Sequence, residues 1–265
     1  MTEPFLLKNH LLWLEEWQQR FPGLIAGFST AEKSMNVSYV IGDAPCKVLA
    51  ARNHAASLSK IPLENWVFSQ QTHSTHIKKV NLCHKGLGTL DFDSAIADTD
   101  GLYTNERGIV LATTYADCTP LYFYAPSAGL IGSAHAGWRG TVNGMMQKMI
   151  QAWKEKEHLD PSQIFIAIGP AISRDAYQVD DKVINEILKS TVRNAVSSFS
   201  HLGNGQYKFS PKHLNYLQAI HEGVPKENIF VSSYCTYHTP ELFYSHRRGG
   251  EQGRMMAFIG LSPND

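Results

Sequence analysis

Between Gly101 and Ala134 the chain passes through four short apolar runs, Gly101–Tyr103, Ile109–Tyr115, Leu121–Tyr124 and Leu130–Ala134. Asn105-Glu-Arg-Gly108, Asp117-Cys-Thr-Pro120 and Ala125-Pro-Ser-Ala-Gly129 divide them. Apolar segments this short, bounded by turn formers, read as neighbouring strands of a buried sheet rather than as helices. Thr141–Glu157 follows with Val142, Met145, Met146, Met149, Ile150 and Trp153 at helical intervals, which predicts a helix packed on that sheet. Leu24–Ser29, Trp66–Ser69, Ile77–Val80, Ile164–Ile168, Ile229–Ser232 and Met256–Ile259 supply further strands. Val48–Leu58, Asp180–Lys189 and Pro211–Glu222 read as helices, the last with proline at its first turn. Leu6–Trp17 reads as an amphipathic helix stopping near Phe21-Pro22-Gly23, and Ser197–Tyr207 as a polar loop. No repeat or Pro/Ser linker interrupts the mixture. It predicts one domain over residues 1–265, of α/β (α+β) class, with mixed sheets layered with helices.

Charge narrows the partner. Lysine plus arginine and aspartate plus glutamate both number 24, so no overall field favours nucleic acid or an anionic membrane, and a small molecule fits better. The N-terminal stretch lacks the charged-then-apolar pattern of a signal peptide, and nothing reaches membrane-spanning length. Cys46, Cys83, Cys118 and Cys235 lie far apart without C-x-x-C spacing, which argues for a reduced, cytoplasmic chain. The sequence sets no oligomeric state.

Three segments each end or interrupt a predicted strand with a candidate ligand: Gln71-Thr72-His73, Ala116-Asp117-Cys118 and Ala134-His135-Ala136-Gly137. One thiolate and two imidazoles suit zinc, and three protein ligands leave a position open for a reactant. Cys118 also reads as a nucleophile activated by His73 or His135, or as a small buried apolar group. Asp117, on the opposite side of a persisting strand, reads as a group orienting backbone rather than as a ligand. Arg52, Arg139, Arg247, Arg248 and Arg254 are candidates for holding an anion through forked donors, with surface ion pairing as the plainer reading.

QQTHS, DTDGLYT, YADCTPLYFYAP, GSAHAGWRGTVNGM, AIGPAISRDAYQVDDKV and CTYHTPELFYSHRRGGEQGRMMAFIGL, in that order, resemble the laccase-domain family, also called the polyphenol oxidase or peptidoglycan editing factor family. The likeness runs from about Leu24 to Leu261. It implies a zinc site on His73, Cys118 and His135, which then serve both as metal ligands and as the catalytic centre. It further implies phosphorolysis of adenosine, inosine, guanosine or methylthioadenosine, deamination of adenosine, and nucleoside and phosphate as partners. Copper is not expected, because one Cys and two His from a single site do not resemble a multicopper cluster. Arg52, Arg139, Arg247 and Arg248 would order the anion, and Gln71 would meet the purine edge or serve as a turn residue. The chain departs from the family at Ser29–Asn36, which lacks the arginine and paired glycines of S-T-R-x-G-G-V-S, and at His246 and His238, where tyrosine and cysteine are expected. Rival readings are a metal-free hydrolase using Cys118, an editing hydrolase for peptidoglycan precursors, and a non-catalytic binding partner.

Overall fold

The computed structural model describes residues 3–249 and 252–263. Two six-stranded mixed sheets lie face to face between helices. The first runs Phe5–Lys8, Leu11–Leu14, Leu24–Ser29, Met255–Leu261, Val110–Tyr115, Trp66–Phe68. Its strands are antiparallel except for the last pair. The second runs Ile229–Val231, Phe165–Ile168, Thr119–Ala125, Leu130–Ala136, Gly101–Thr104, Ile77–Lys79, antiparallel at its centre and parallel at both edges. A small antiparallel sheet, Gln178–Asp180, Gln206–Phe209 and Phe199–Gly203, completes the α/β domain.

Strand alternation explains why the central runs look continuously apolar. Leu111, Tyr115, Ala257 and Ile259 meet Tyr122, Tyr124 and Ile131 between the sheets. Their neighbours Val110, Ala112, Met256 and Phe258 face outward onto the helix Pro45–Ser59. On the other side, Leu121 and Phe123 pack on Met145, Met146, Met149 and Trp153 of Met145–Lys156. Both faces of each central strand are therefore buried, and both positions of the two-residue period must be apolar. Thr113 crosses the inter-sheet layer by hydrogen-bonding Tyr115 at 2.8 Å and Ser133 at 2.9 Å, so the sheets are joined by polar contacts as well as packing.

Three local expectations give way. Leu6–Trp17 is not a helix: Phe5–Lys8 and Leu11–Leu14 form a hairpin through Asn9 (φ 53°) and His10 (φ 65°), and Glu15–Arg20 is helical. Its leucines have helical spacing, but pairing with Leu24–Ser29 gives the segment a sheet edge to join. Thr141–Glu157 is two helices, Trp138–Val142 and Met145–Lys156, because Gly144 takes a left-handed φ of 77° between them. Ser197–Tyr207 is largely a hairpin, Phe199–Gly203 with Gln206–Phe209, turned by Asn204-Gly205 with both φ positive.

Candidate metal centre

Strand register brings two of the three proposed ligands together. His135 lies near the end of Leu130–Ala136 and faces Pro120 across the ladder, while Cys118 immediately precedes Thr119, whose partner is Ala136. His73 arrives from the turn after Trp66–Phe68 with φ 61°. One nitrogen from each imidazole and the Cys118 Sγ all lie within 4.8 Å of one another. Cys118 Sγ is 3.9 Å from His73 Nε2, and the two imidazole rings meet edge-on with centroids 4.9 Å apart. Donors bound to one tetrahedral zinc at about 2.0–2.3 Å lie roughly 3.5 Å from each other, so this set needs only small movements to share an ion. Gly137 makes the approach possible: a Cβ there would stand 2.8 Å from His73 Cδ2 and 3.1 Å from Cys118 Sγ.

A fourth residue, absent from the candidates above, holds two of these three in place. Asp100 is 0 % exposed and stands immediately before Gly101–Thr104, the strand beside Leu130–Ala136. Its Oδ1 accepts from His135 Nδ1 at 2.7 Å and from the His73 backbone N–H at 3.2 Å. Its Oδ2 accepts from the N–H groups of Thr72 (3.1 Å) and Ser74 (2.8 Å) and from the Ser74 hydroxyl (2.8 Å). One carboxylate thus fixes the His73 turn and the His135 ring, leaving His135 Nε2 for the centre. Its place in Asp98-Thr-Asp100-Gly, directly before a strand, is the available sequence signal.

The electrostatics follow from this packing. Burial alone would raise the Asp100 carboxyl, but the bonds from His135 and Ser74 outweigh it and hold the pKa at about 2. Burial likewise pushes the Cys118 thiol up, yet His135 and His73 bring it down to about 6. For His135, desolvation lowers and the Cys118 charge with the Asp100 bond raises, and the balance is upward. The thiolate is the donor a soft-to-borderline metal ion requires, and the same ion would displace the proton from His135 Nε2.

Asp117, with φ 85°, accepts from Thr236 Oγ1 (2.6 Å), Ser245 Oγ (2.9 Å) and the Arg247 N–H (2.8 Å). It docks the Thr236 and Ser245–Arg247 segments beside the centre. Two cavities, of about 350 and 320 Å³, meet there and share His73, Ala116, Cys118 and His246.

The other proposed residues separate by what occupies their donors. Gln71 lines the first cavity, but Thr114 takes both ends of its amide: Nε2 donates to the Thr114 carbonyl, and Oε1 accepts from its N–H and hydroxyl. Arg52, 4 % exposed, donates to the carbonyls of Val37, Gly88 and Thr89 and lies between the rings of Tyr39 and Phe68. Arg248 donates to the carbonyls of Thr236, Tyr237 and Phe243. Arg139 and Arg247 are exposed side chains lining the second cavity. Gly250, the last residue of the arginine-bearing turn, lies outside the described residues.

The family model described as multi-copper polyphenol oxidoreductase laccase matches residues 21–262. The chain belongs to that family. A relative from Geobacillus stearothermophilus, named purine nucleoside phosphorylase YlmD, is 42% identical over 94% of each chain. One of the same name from Bacillus subtilis is 39% identical over 97% of each. Among solved structures, the Bacillus licheniformis hypothetical protein YfiH superposes with TM-score 0.94 at 38% identity, covering 98% of this chain and 100% of that one. YlmD from G. stearothermophilus superposes with TM-score 0.92 at 39% identity and the same coverages. Among the described residues no helix is long and apolar enough to cross a membrane.

Proposed function

We propose that this protein is a zinc-dependent purine nucleoside phosphorylase that cleaves adenosine, inosine, guanosine and methylthioadenosine and also deaminates adenosine. The observation that carries the reading is a His73–Cys118–His135 donor set at the meeting point of two cavities. The names of the relatives from Geobacillus and Bacillus, similar over nearly their whole lengths, support the reaction class. His73, Cys118 and His135 would hold the ion, and zinc bound there supplies Lewis acidity between the cavities. Asp100 accepts from His135 Nδ1, so Nε2 is the nitrogen that would bind the ion, in place of its proton. In phosphorolysis a phosphate oxygen bonds to C1′ as the C1′–N9 bond breaks, and that electron pair leaves with the purine. The protein must therefore hold an anion on one side of the ribose and the base on the other. In deamination water adds to C6 of adenosine and ammonia departs. Four free cysteines, Cys46 and Cys83 exposed among them, support a reducing cytoplasmic setting.

The test is metal analysis of purified protein together with chromatography of nucleosides incubated with phosphate. Stoichiometric zinc, lost in Cys118→Ala, with hypoxanthine from inosine and both adenine and inosine from adenosine, is expected. Copper in place of zinc would overturn the metal assignment. Release of neither base nor inosine would overturn the reaction.

A further inference from the structure

We propose that the two cavities divide the reactants: the one bordered by Tyr39 and Phe92 takes the purine, the one bordered by Trp138 and Tyr177 takes inorganic phosphate, and ribose spans the junction between them. The division rests on the phosphorylase reading above. Displacement at C1′ requires phosphate and base on opposite sides of the sugar. The cavities offer two compartments for them, since they share only His73, Ala116, Cys118 and His246 among their described lining residues.

Chemistry decides which end goes where. The first cavity is walled by Tyr39, Val40, Ile41, Phe68, Phe92 and Ala95, surfaces suited to a flat ring. Two arginines among the described residues line it, and both have acceptors within the fold: Arg52 is committed to three backbone carbonyls and sandwiched between rings, and Arg254 donates through Nη1 to the Gly253 carbonyl at 2.8 Å.

The second cavity has the opposite character. Arg139 stands 4.5 Å over the Trp138 ring and has neither a carboxylate nor a carbonyl partner among the described residues. Arg247 stands 5.0 Å over the Tyr177 ring, anchored through Nη1 to the Gln178 carbonyl at 3.1 Å. The ring contacts limit the swing of each guanidinium without occupying its in-plane donors. Asp117 is the sole carboxylate among the described lining residues, and three donors already fill it. Two steered guanidiniums with no competing free carboxylate match a phosphate dianion.

The experiment is a separation of Michaelis constants in zinc-loaded protein, with metal content confirmed for each variant. Arg139→Gln and Arg247→Gln should each raise the phosphate KM about tenfold or more while leaving the inosine KM within about twofold. Phe92→Ala, which removes an exposed ring from the first cavity, should raise the inosine KM about fivefold and leave the phosphate KM alone. Equilibrium dialysis with radiolabelled inorganic phosphate, without nucleoside, should show retention by the wild type and its loss in the arginine variants. Phosphate retention unaltered by both arginine substitutions, or the two Michaelis constants moving together in every variant, would overturn the division of the site whatever the turnover. Absence of base release from every nucleoside would instead overturn the phosphorylase reading, and the dialysis would still report on the anion cavity.

Discussion

Asp100→Asn keeps the shape of a fully buried side chain and removes its charge, so its effect can be worked out bond by bond. An amide oxygen at the Oδ2 position would still accept from Thr72 and Ser74. The amide nitrogen would then face the His73 N–H and His135 Nδ1, which now donate to Oδ1. Hydrogen bonds to a charged group contribute about 1.5–3 kcal/mol each, so two lost bonds set an upper range of about 3–6 kcal/mol. His135 can recover one bond by moving its proton to Nε2, which leaves a cost of about 2–3 kcal/mol. The depression of the Asp100 pKa to about 2, caused by the same hydrogen bonds against burial, has the same sign and is on the order of 2 kcal/mol. The tautomer that rescues folding, however, points an N–H at Cys118 and His73, and loss of such an orienting carboxylate costs about 10–100-fold in metal affinity. A carboxylate whose folded pKa lies below its unfolded value stabilises above the unfolded pKa and loses that contribution as pH falls through the folded one. The stability gap between wild type and Asp100→Asn, measured by urea unfolding of metal-free protein, should therefore be complete at neutral pH. It should close between about pH 4 and pH 2. Chelator competition reports the affinity. A neutral-pH gap below about 0.5 kcal/mol, together with zinc affinity within about twofold, would refute the assignment of Asp100 as the organiser of the centre.

Gly137→Ala would place its Cβ against His73 and Cys118, and zinc stoichiometry by elemental analysis should fall while the melting temperature of the metal-free protein changes little. Asp117→Ala leaves Thr236, Ser245 and the Arg247 N–H without their acceptor, at a cost of about 3 kcal/mol in denaturant unfolding, and should raise amide exchange around Ser245–Arg247. Phe258→Ala, which removes a buried ring lying 5.6 Å from Trp13 and 5.3 Å from Trp66, should cost about 3–5 kcal/mol yet leave zinc stoichiometry at the wild-type value, since that cluster is on the far face of its sheet.

The contrast among these sites shows what a sequence can and cannot express about this molecule. The central strands are legible because burial on both faces writes itself as unbroken apolar runs between turn residues, as at Val110–Tyr115 and Thr119–Ala125. The N-terminal hairpin is not, because Asn9 and His10 adopt positive φ without a glycine to mark the turn, and its leucines satisfy a helical spacing equally well. His73, Cys118 and His135 are visible as ligand types at strand ends. Asp100 is not, because its role depends on the turn at Thr72–Ser74 and the strand end at His135 converging on one carboxylate from distant parts of the chain. The arginines make the same point in reverse. Arg52 and Arg248 look as available in sequence as Arg139 and Arg247, but a guanidinium whose donors meet its own fold's carbonyls has become part of the wall. What separates the two pairs is how many donors are left over: Arg139 has no carbonyl or carboxylate partner among the described residues and Arg247 meets one carbonyl, whereas Arg52 and Arg248 each meet three, a property of the packed chain that no spacing of residues encodes. Among the arginines that line the two cavities, Arg139 and Arg247, on the Trp138 and Tyr177 side, thus keep more free donors than Arg52, which is why the phosphate proposed above would approach from that side.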